Sequence, residues 1–160
     1  MKTLKDLFEQ QLKVLYSCEK QLIQELPKIQ KAAHDPELKE TLDKHCEETK
    51  IHKERLEEVF KELGVKATGE DCVAMKGLIK EVKEVIAEKG GDEVKDAGLI
   101  AATQRLEHYE ISGYGTVVRY AKELGHTKIA SKLQKTLDEE HKADAILNEM
   151  AENRINVKAI

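Results

Sequence analysis

The sequence has no tryptophan and only two prolines among its 160 residues, so little in it would interrupt long helices. It holds no apolar run near the roughly 20 residues of a membrane span, which argues against a membrane protein. The N-terminal MKTLKDLFEQQ puts acids and polar residues where a secretory signal would need an apolar stretch. A basic stripe is missing too: the net charge is −4 and both signs are interspersed, which excludes a nucleic-acid footprint. Cys18, Cys46 and Cys72 are odd in number and form no CxxC pair, as expected of reduced thiols in a cytoplasmic protein.

What is present points to helices. Charged residues make up 36% of the chain, and Glu, Lys, Leu and Ala dominate. One domain suits this length. Three breaks divide it. In HDPE, residues 34–37, Asp35 can cap a helix and Pro36 can take its first turn. A second break runs from Gly64 to Asp71, and at the third, LGHT, Gly125 ends one helix and Thr127 can cap the next. Gly90–Gly91–Asp92 stops a shorter amphipathic segment. The pattern predicts long helices over residues 3–33, 36–63, 93–124 and 127–152, with a connecting helix over 71–89. Short turns make each long pair an antiparallel hairpin, whereas the link between pairs can traverse a bundle. An all-α, four-helix bundle of ferritin-like type follows, with one long crossover carrying the additional helix.

Each long helix has an apolar seam with steps of three and four. Every seam turns polar near its middle. The first runs from Leu4 to Ala33 and is interrupted by Glu19; the second contains His45, Thr49 and His52, with Glu48 alongside. In the stretch EHYEISGYG the third seam carries Glu107, Glu110 and Tyr114, and the fourth carries Glu140 and Asp144. Glu19, Glu48, Glu110 and Glu140 all lie about fifteen residues from a turn, near half-height of the bundle. Glu107 and Asp144 match one another in the same way.

A buried unpaired carboxylate costs several kcal/mol, and no Lys or Arg stands at these central positions. Shared protons would relieve the cluster only by raising its pKa values sharply. A cation resolves the conflict directly. Bridging carboxylates with terminal imidazoles fit iron or manganese better than zinc or calcium. The expected ligands are therefore Glu19, His45, Glu48, Glu107, Glu110, Glu140 and Asp144. His52, a heptad beyond His45, is a further possible ligand or support, and Tyr16 and Tyr114, one turn from the acids, read as supporting donors or plain core. His108 lies about 100° around the helix from Glu107 and reads as a supporting or surface residue. His34, His126 and His141 read as surface or turn residues, and Cys18 and Cys46 as buried structural thiols. The glycines after EHYE read as sites of close helix approach.

The stretches LYSCEKQLIQELPKI, KHCEETKIHKERLEEVF, CVAMKGLIKEV, DAGLIAATQRLEHYEISGYGTV and LDEEHKAD resemble the YciF-like family of ferritin-like proteins, over nearly the whole chain. The resemblance implies a ferritin-like bundle with an additional helix, a homodimer, a di-metal centre and a link to bacterial stress. Carried over residue by residue, Glu19 and Glu48 with His45 match one half-site. Glu107 or Glu110, with Glu140 and Asp144, match the other. Classical ferritins carry Glu-x-x-His, whereas this chain reads His-x-x-Glu at His45 and Glu48. The expectation is a stress-response protein holding two iron ions, with manganese as the alternative, and reacting with O2 or H2O2 in oxidase, peroxide-scavenging or ferroxidase-type chemistry. No residue is assigned a catalytic role. The rival expectation is a stress-induced structural or helical interaction protein in which metal is absent or only structural.

Overall fold

Thr3 starts the first helix with a reciprocal cap. Its hydroxyl accepts the Asp6 N–H at 3.1 Å, and the Asp6 carboxylate accepts the Thr3 N–H at 3.1 Å. The computed structural model describes all 160 residues, with α1 over Leu4–Ala32, α2 over Pro36–Leu63, α3 over Val73–Ala87, α4 over Asp92–Glu123 and α5 over Thr127–Met150. A π-helical turn, Ala151–Ile155, and a last short helix, α6 (Asn156–Lys158), follow. Asp35 caps α2 by accepting from Glu37 and Leu38 N–H, with Pro36 in the first turn where its missing donor costs nothing. Gly64 (φ +67°) and Gly125 (φ +76°) take the left-handed conformation that ends α2 and α4. Thr127 does not cap α5. His126 holds that position, with no side-chain cap bond, and its ring stacks on Phe8 of α1.

Two sets of contacts fix the topology. At one end, the buried carboxylate of Asp96, early in α4, accepts N–H bonds from His34 and Asp35 in the α1–α2 turn. Arg154, beyond α5, pairs with Asp35 at that end. At the other end, Phe8 meets His126 of the α4–α5 turn. Hence α2 and α4 run parallel, and every neighbouring pair around the bundle is antiparallel. The chain returns between them along α1, where Glu70 N–H reaches the Lys13 carbonyl, and then through α3, which packs on α4 and α1. The fold is all-α, a ferritin-like four-helix bundle whose single crossover carries an extra helix.

The apolar core is divided. One cluster, with Leu22, Leu26, Leu42, Met75, Leu99 and Leu147, fills the Asp35 end. The other, with Phe8, Leu12, Leu56, Phe60, Val117 and Leu133, fills the opposite end. Between them lie Glu19, His45, Thr49, His52, Thr103, Glu107, Glu110 and Glu140, all buried.

Of the two EISGYG glycines, Gly113 is the one pressed closest against a neighbouring helix. A Cβ there would lie 2.7 Å from Leu15 Cδ2 of α1, so its absence sets the α1–α4 spacing. Gly77, inside α3, has open space around its α-carbon. Gly77→Ala is therefore expected to stabilise the protein by about 0.5–1 kcal/mol through helix propensity. In Gly113→Ala that gain meets an overpacking cost of about 1–3 kcal/mol. Urea unfolding of the two variants should move the midpoint up for Gly77→Ala and leave it unchanged or lower for Gly113→Ala.

Candidate metal centre

Four helices each send acid or imidazole into the layer between the two apolar clusters. From α1 comes Glu19, from α2 His45 and His52, from α4 Glu107 and Glu110, and from α5 Glu140. Glu107 and Glu110 are three residues apart on one helical face, so both turn inward. His45 and His52 are seven apart, two turns along the inner face of α2. These side chains form two groups. Ligand atoms of His45, Glu107, Glu110 and Glu140 all lie within 4.8 Å of one another, as do those of Glu19, His52 and Glu140. Glu140 is common to both.

The atoms approach without satisfying one another. His45 Nε2 lies 2.9 Å from Glu107 Oε1, and His52 Nδ1 lies 2.8 Å from Glu140 Oε1 and 3.9 Å from Glu19 Oε1. Yet neither nitrogen is aligned for a hydrogen bond, and both oxygens of Glu107, Glu110 and Glu140 lack one as well. Lone pairs crowd into a common volume where protein donors are missing. Buried polar atoms are rarely left in this state. A carboxylate–imidazole set converging from four helices suits a cation by number and by donor type.

Other residues hold the set in place. The Tyr114 hydroxyl donates to Glu19 Oε1, leaving Oε2 free. His52 sets its far nitrogen, Nε2, 3.0 Å from Glu139 Oε2, and Arg55 donates to that carboxylate at 2.8 Å and also to the Thr136 hydroxyl. A carboxylate behind a histidine fixes ring orientation and raises ligand basicity. The Arg55–Glu139 buttress is illegible in the sequence because its members sit far apart in the chain, and only the adjacency of Glu139 to Glu140 hints at it.

Electrostatics carry the mark of the crowding. Burial pushes the carboxyls of Glu107 and Glu110 well above the usual range, and it raises Glu19 to about 7 despite the nearby His52. For Glu140 burial also pushes upward, but the close approach of Glu107 and His52 and the charges of both histidines outweigh it and hold the group low, at about 2. Burial disfavours the charged form of both histidines, yet the surrounding carboxylates raise them, His45 strongly.

The family of domains of unknown function designated DUF892 matches residues 3–160. The chain belongs to this family. It is 44% identical to the YciF protein of Escherichia coli K12, covering 99% of this chain and 96% of that one. The crystal structure of the E. coli stress protein YciF superposes with a TM-score of 0.93 at 43% identity, covering 98% of this chain and 99% of that one. YcfI from Rhodopseudomonas palustris gives a TM-score of 0.90 at 42% identity, covering 92% and 94%. A protein from Xanthomonas campestris shares the fold alone, at 19% identity with a TM-score of 0.78 and coverage of 97% and 95%.

Against the ligand set expected of a YciF-like chain, the geometry makes several changes. Glu107 and Glu110 stand together rather than as alternatives, and His52 joins the Glu19 group. Glu48 lies outside both groups with its side chain 42% exposed, because Thr49, about 100° further round α2, takes the inward slot and donates to the His45 carbonyl. Asp144 is likewise outside. Ala143 occupies the buried position after Glu140, while Asp144 binds Gln104 at 2.9 Å and the exposed His108 at 3.1 Å. Tyr16 donates to Glu57 and packs edge-on against Phe60, away from the acids. Cys18 and Cys46 are free and buried, as is Cys72.

The sign of the pH dependence follows for protein prepared without metal. Glu19, Glu107, Glu110, His45 and His52 all have folded pKa values above their ordinary ones, so the folded state binds more protons near neutrality than the unfolded state does. Their contribution is fully present at low pH and is lost as pH rises through each folded pKa, for Glu19 about 7. Glu140, held near 2, acts in the opposite sense only below about pH 4.5. Chelated protein should lose thermal stability from pH 5 to pH 8, on the order of several kcal/mol. Calorimetry across that range checks it; a midpoint that climbs with pH contradicts the charge assignment.

Proposed function

We propose that this YciF-like chain binds a dinuclear centre of two iron ions, with manganese as the alternative occupant, and uses it for oxidase, peroxide-scavenging or ferroxidase-type chemistry in a bacterial stress response. The observation that carries the reading is the set of partnerless buried atoms. Apart from the Thr103 hydroxyl, every one belongs to Glu19, His45, His52, Glu107, Glu110 or Glu140. Charge supports the number of ions: four carboxylates against two divalent cations leave the layer neutral, with both imidazoles uncharged.

In this reading His45, Glu107 and Glu110 hold one ion, Glu19 and His52 the other, and Glu140 contributes to both. Bound iron would supply one-electron redox chemistry toward O2 or H2O2. The chain's own residues provide the conditions for it. Tyr114 fixes one oxygen of Glu19 and leaves the other to ligate, and Glu139 with Arg55 sets the plane of His52. The apolar clusters at either end exclude water from the layer. Carboxylates such as Glu110, with both oxygens free of protein donors, would have either oxygen to offer an ion. The E. coli relative is called a stress protein, and that setting extends here only as part of the proposal. A cytosolic homodimer belongs to the same reading. No helix of the chain is long and apolar enough to cross a membrane.

Protein purified without chelators and analysed for metal should contain two iron or manganese ions per chain. Adding two equivalents of Fe(II) in air should produce a ferric absorption band. Saturating metal at about 100 times Kd should stabilise the fold by about 2.7 kcal/mol for each ion bound. Glu140→Gln should lose both ions and Glu19→Gln chiefly one. A wild-type chain that gains neither an iron-dependent spectrum nor any stability overturns the reading. The rival, a structural protein with metal as a staple, requires stabilisation by metal but no turnover of peroxide or O2.

A further inference from the structure

The two histidines of the layer differ in what lies behind them. His52 is closed off: its outer nitrogen meets Glu139, which Arg55 and the neighbouring Thr136 lock to the α2–α5 interface. His45 is open. Its Nε2 faces Glu107, while Nδ1 points the other way and has no hydrogen-bond partner, although the residue is only 5% exposed. That nitrogen lies 4.0 Å from Glu48 Oε2, and both residues line a surface cavity of about 390 Å³ between α2 and α5. Two other carboxylates on the cavity wall are already paired, Glu37 with Arg154 at 2.7 Å and Glu40 with Lys44 at 2.7 Å. Glu48 has no Lys or Arg within ion-pair distance, and its one contact at that range is His45 Nδ1, at 4.0 Å. A half-exposed free carboxylate thus stands between solvent and a buried imidazole nitrogen that nothing in the protein satisfies.

We propose that this cleft is the route by which a divalent cation reaches the centre, with the Glu48 carboxylate, beside His45, as its first landing site. The inference rests on the metal-binding reading above and adds an entrance to it. A hydrated divalent ion needs a negative oxygen donor where it begins to lose water. Glu48 is the one unneutralised oxygen donor beside His45, and His45 itself bridges the cleft and the inner ligands. The same placement accounts for Glu48 lying outside both inner groups while remaining against a residue of one of them. Lys142 also lines the cavity and has no carboxylate partner, so its charge opposes arriving cations.

The test is the kinetics of Co(II) uptake by metal-free protein, followed in rapid mixing by the visible absorption of the ligated ion, with equilibrium affinity measured separately. Glu48→Gln keeps shape and is half-exposed, so the fold is retained. It should slow both uptake and release at least fivefold and leave Kd within twofold of wild type. Lys142→Ala should speed uptake. Glu107→Gln serves as the contrast and should weaken Kd by tenfold or more. Uptake by Glu48→Gln at the wild-type rate overturns the entrance and leaves the centre standing. A loss of affinity equal to that of Glu107→Gln overturns it as well, by making Glu48 a ligand of the centre. If wild-type protein binds no Co(II), the centre and its entrance fall together.

Discussion

The burial of four carboxylates in one layer governs the architecture. Unneutralised, they would cost several kcal/mol each, enough together to cancel the burial of roughly eight leucine side chains. The fold therefore places the layer where it does least harm to cooperativity, between two apolar clusters that each span all four long helices. Helix ends, where backbone groups also need partners, are kept away from it and are satisfied by Thr3, Asp35 and Asp96. The polar layer is then the single place in the core where protein donors do not suffice.

The one-crossover topology serves that layer. Because α2 and α4 run parallel, their inward faces carry residues to the same height from the same end. His45 and Glu107 thereby meet, although 62 residues separate them in the chain. Asp96 ties the start of α4 to the α1–α2 turn through two backbone bonds and so fixes the relative register of the two hairpins. At Gly113 the missing side chain lets α1 close on α4, which brings Glu19 within reach of Tyr114. Fold, register and site geometry are consequences of a few local choices.

Much of this is legible in the residues. The spacing of three and four, Asp35–Pro36, Gly64 and Gly125 mark the helices and turns, because local propensity and long-range packing agree there. The inward positions of Glu19, Glu107, Glu110 and Glu140 follow from counting along straight seams, since each replaces a core residue outright. Seam counting loses power where two polar residues adjoin. At Glu48 and Thr49, and again near Asp144, rotation about the helix axis decides which side chain is inward, and that rotation is set by neighbours such as Ala143. His52 illustrates the same limit from the other side: its place beside Glu19 depends on how α1 and α2 are staggered. Glu139 and Arg55 carry almost no signature beyond the adjacency of Glu139 to Glu140, since the pair exists only once α2 and α5 are packed.

Protons and any bound cation would compete for one set of oxygens, and the environment of each carboxylate sets the terms. Glu107 and Glu110 are pushed toward the neutral acid by burial, whereas Glu140 is kept anionic by the histidines on either side. Protons thus take the outer places while the shared place stays charged. A cation entering this layer meets an anionic Glu140 and must displace protons from the others, so binding strengthens as pH rises. A metal-bound form would therefore be stabilised at the opposite end of the neutral range from the metal-free protein. On the proposed function, the layer is a site for two occupants, protons at low pH and metal at high pH, rather than a core with a defect.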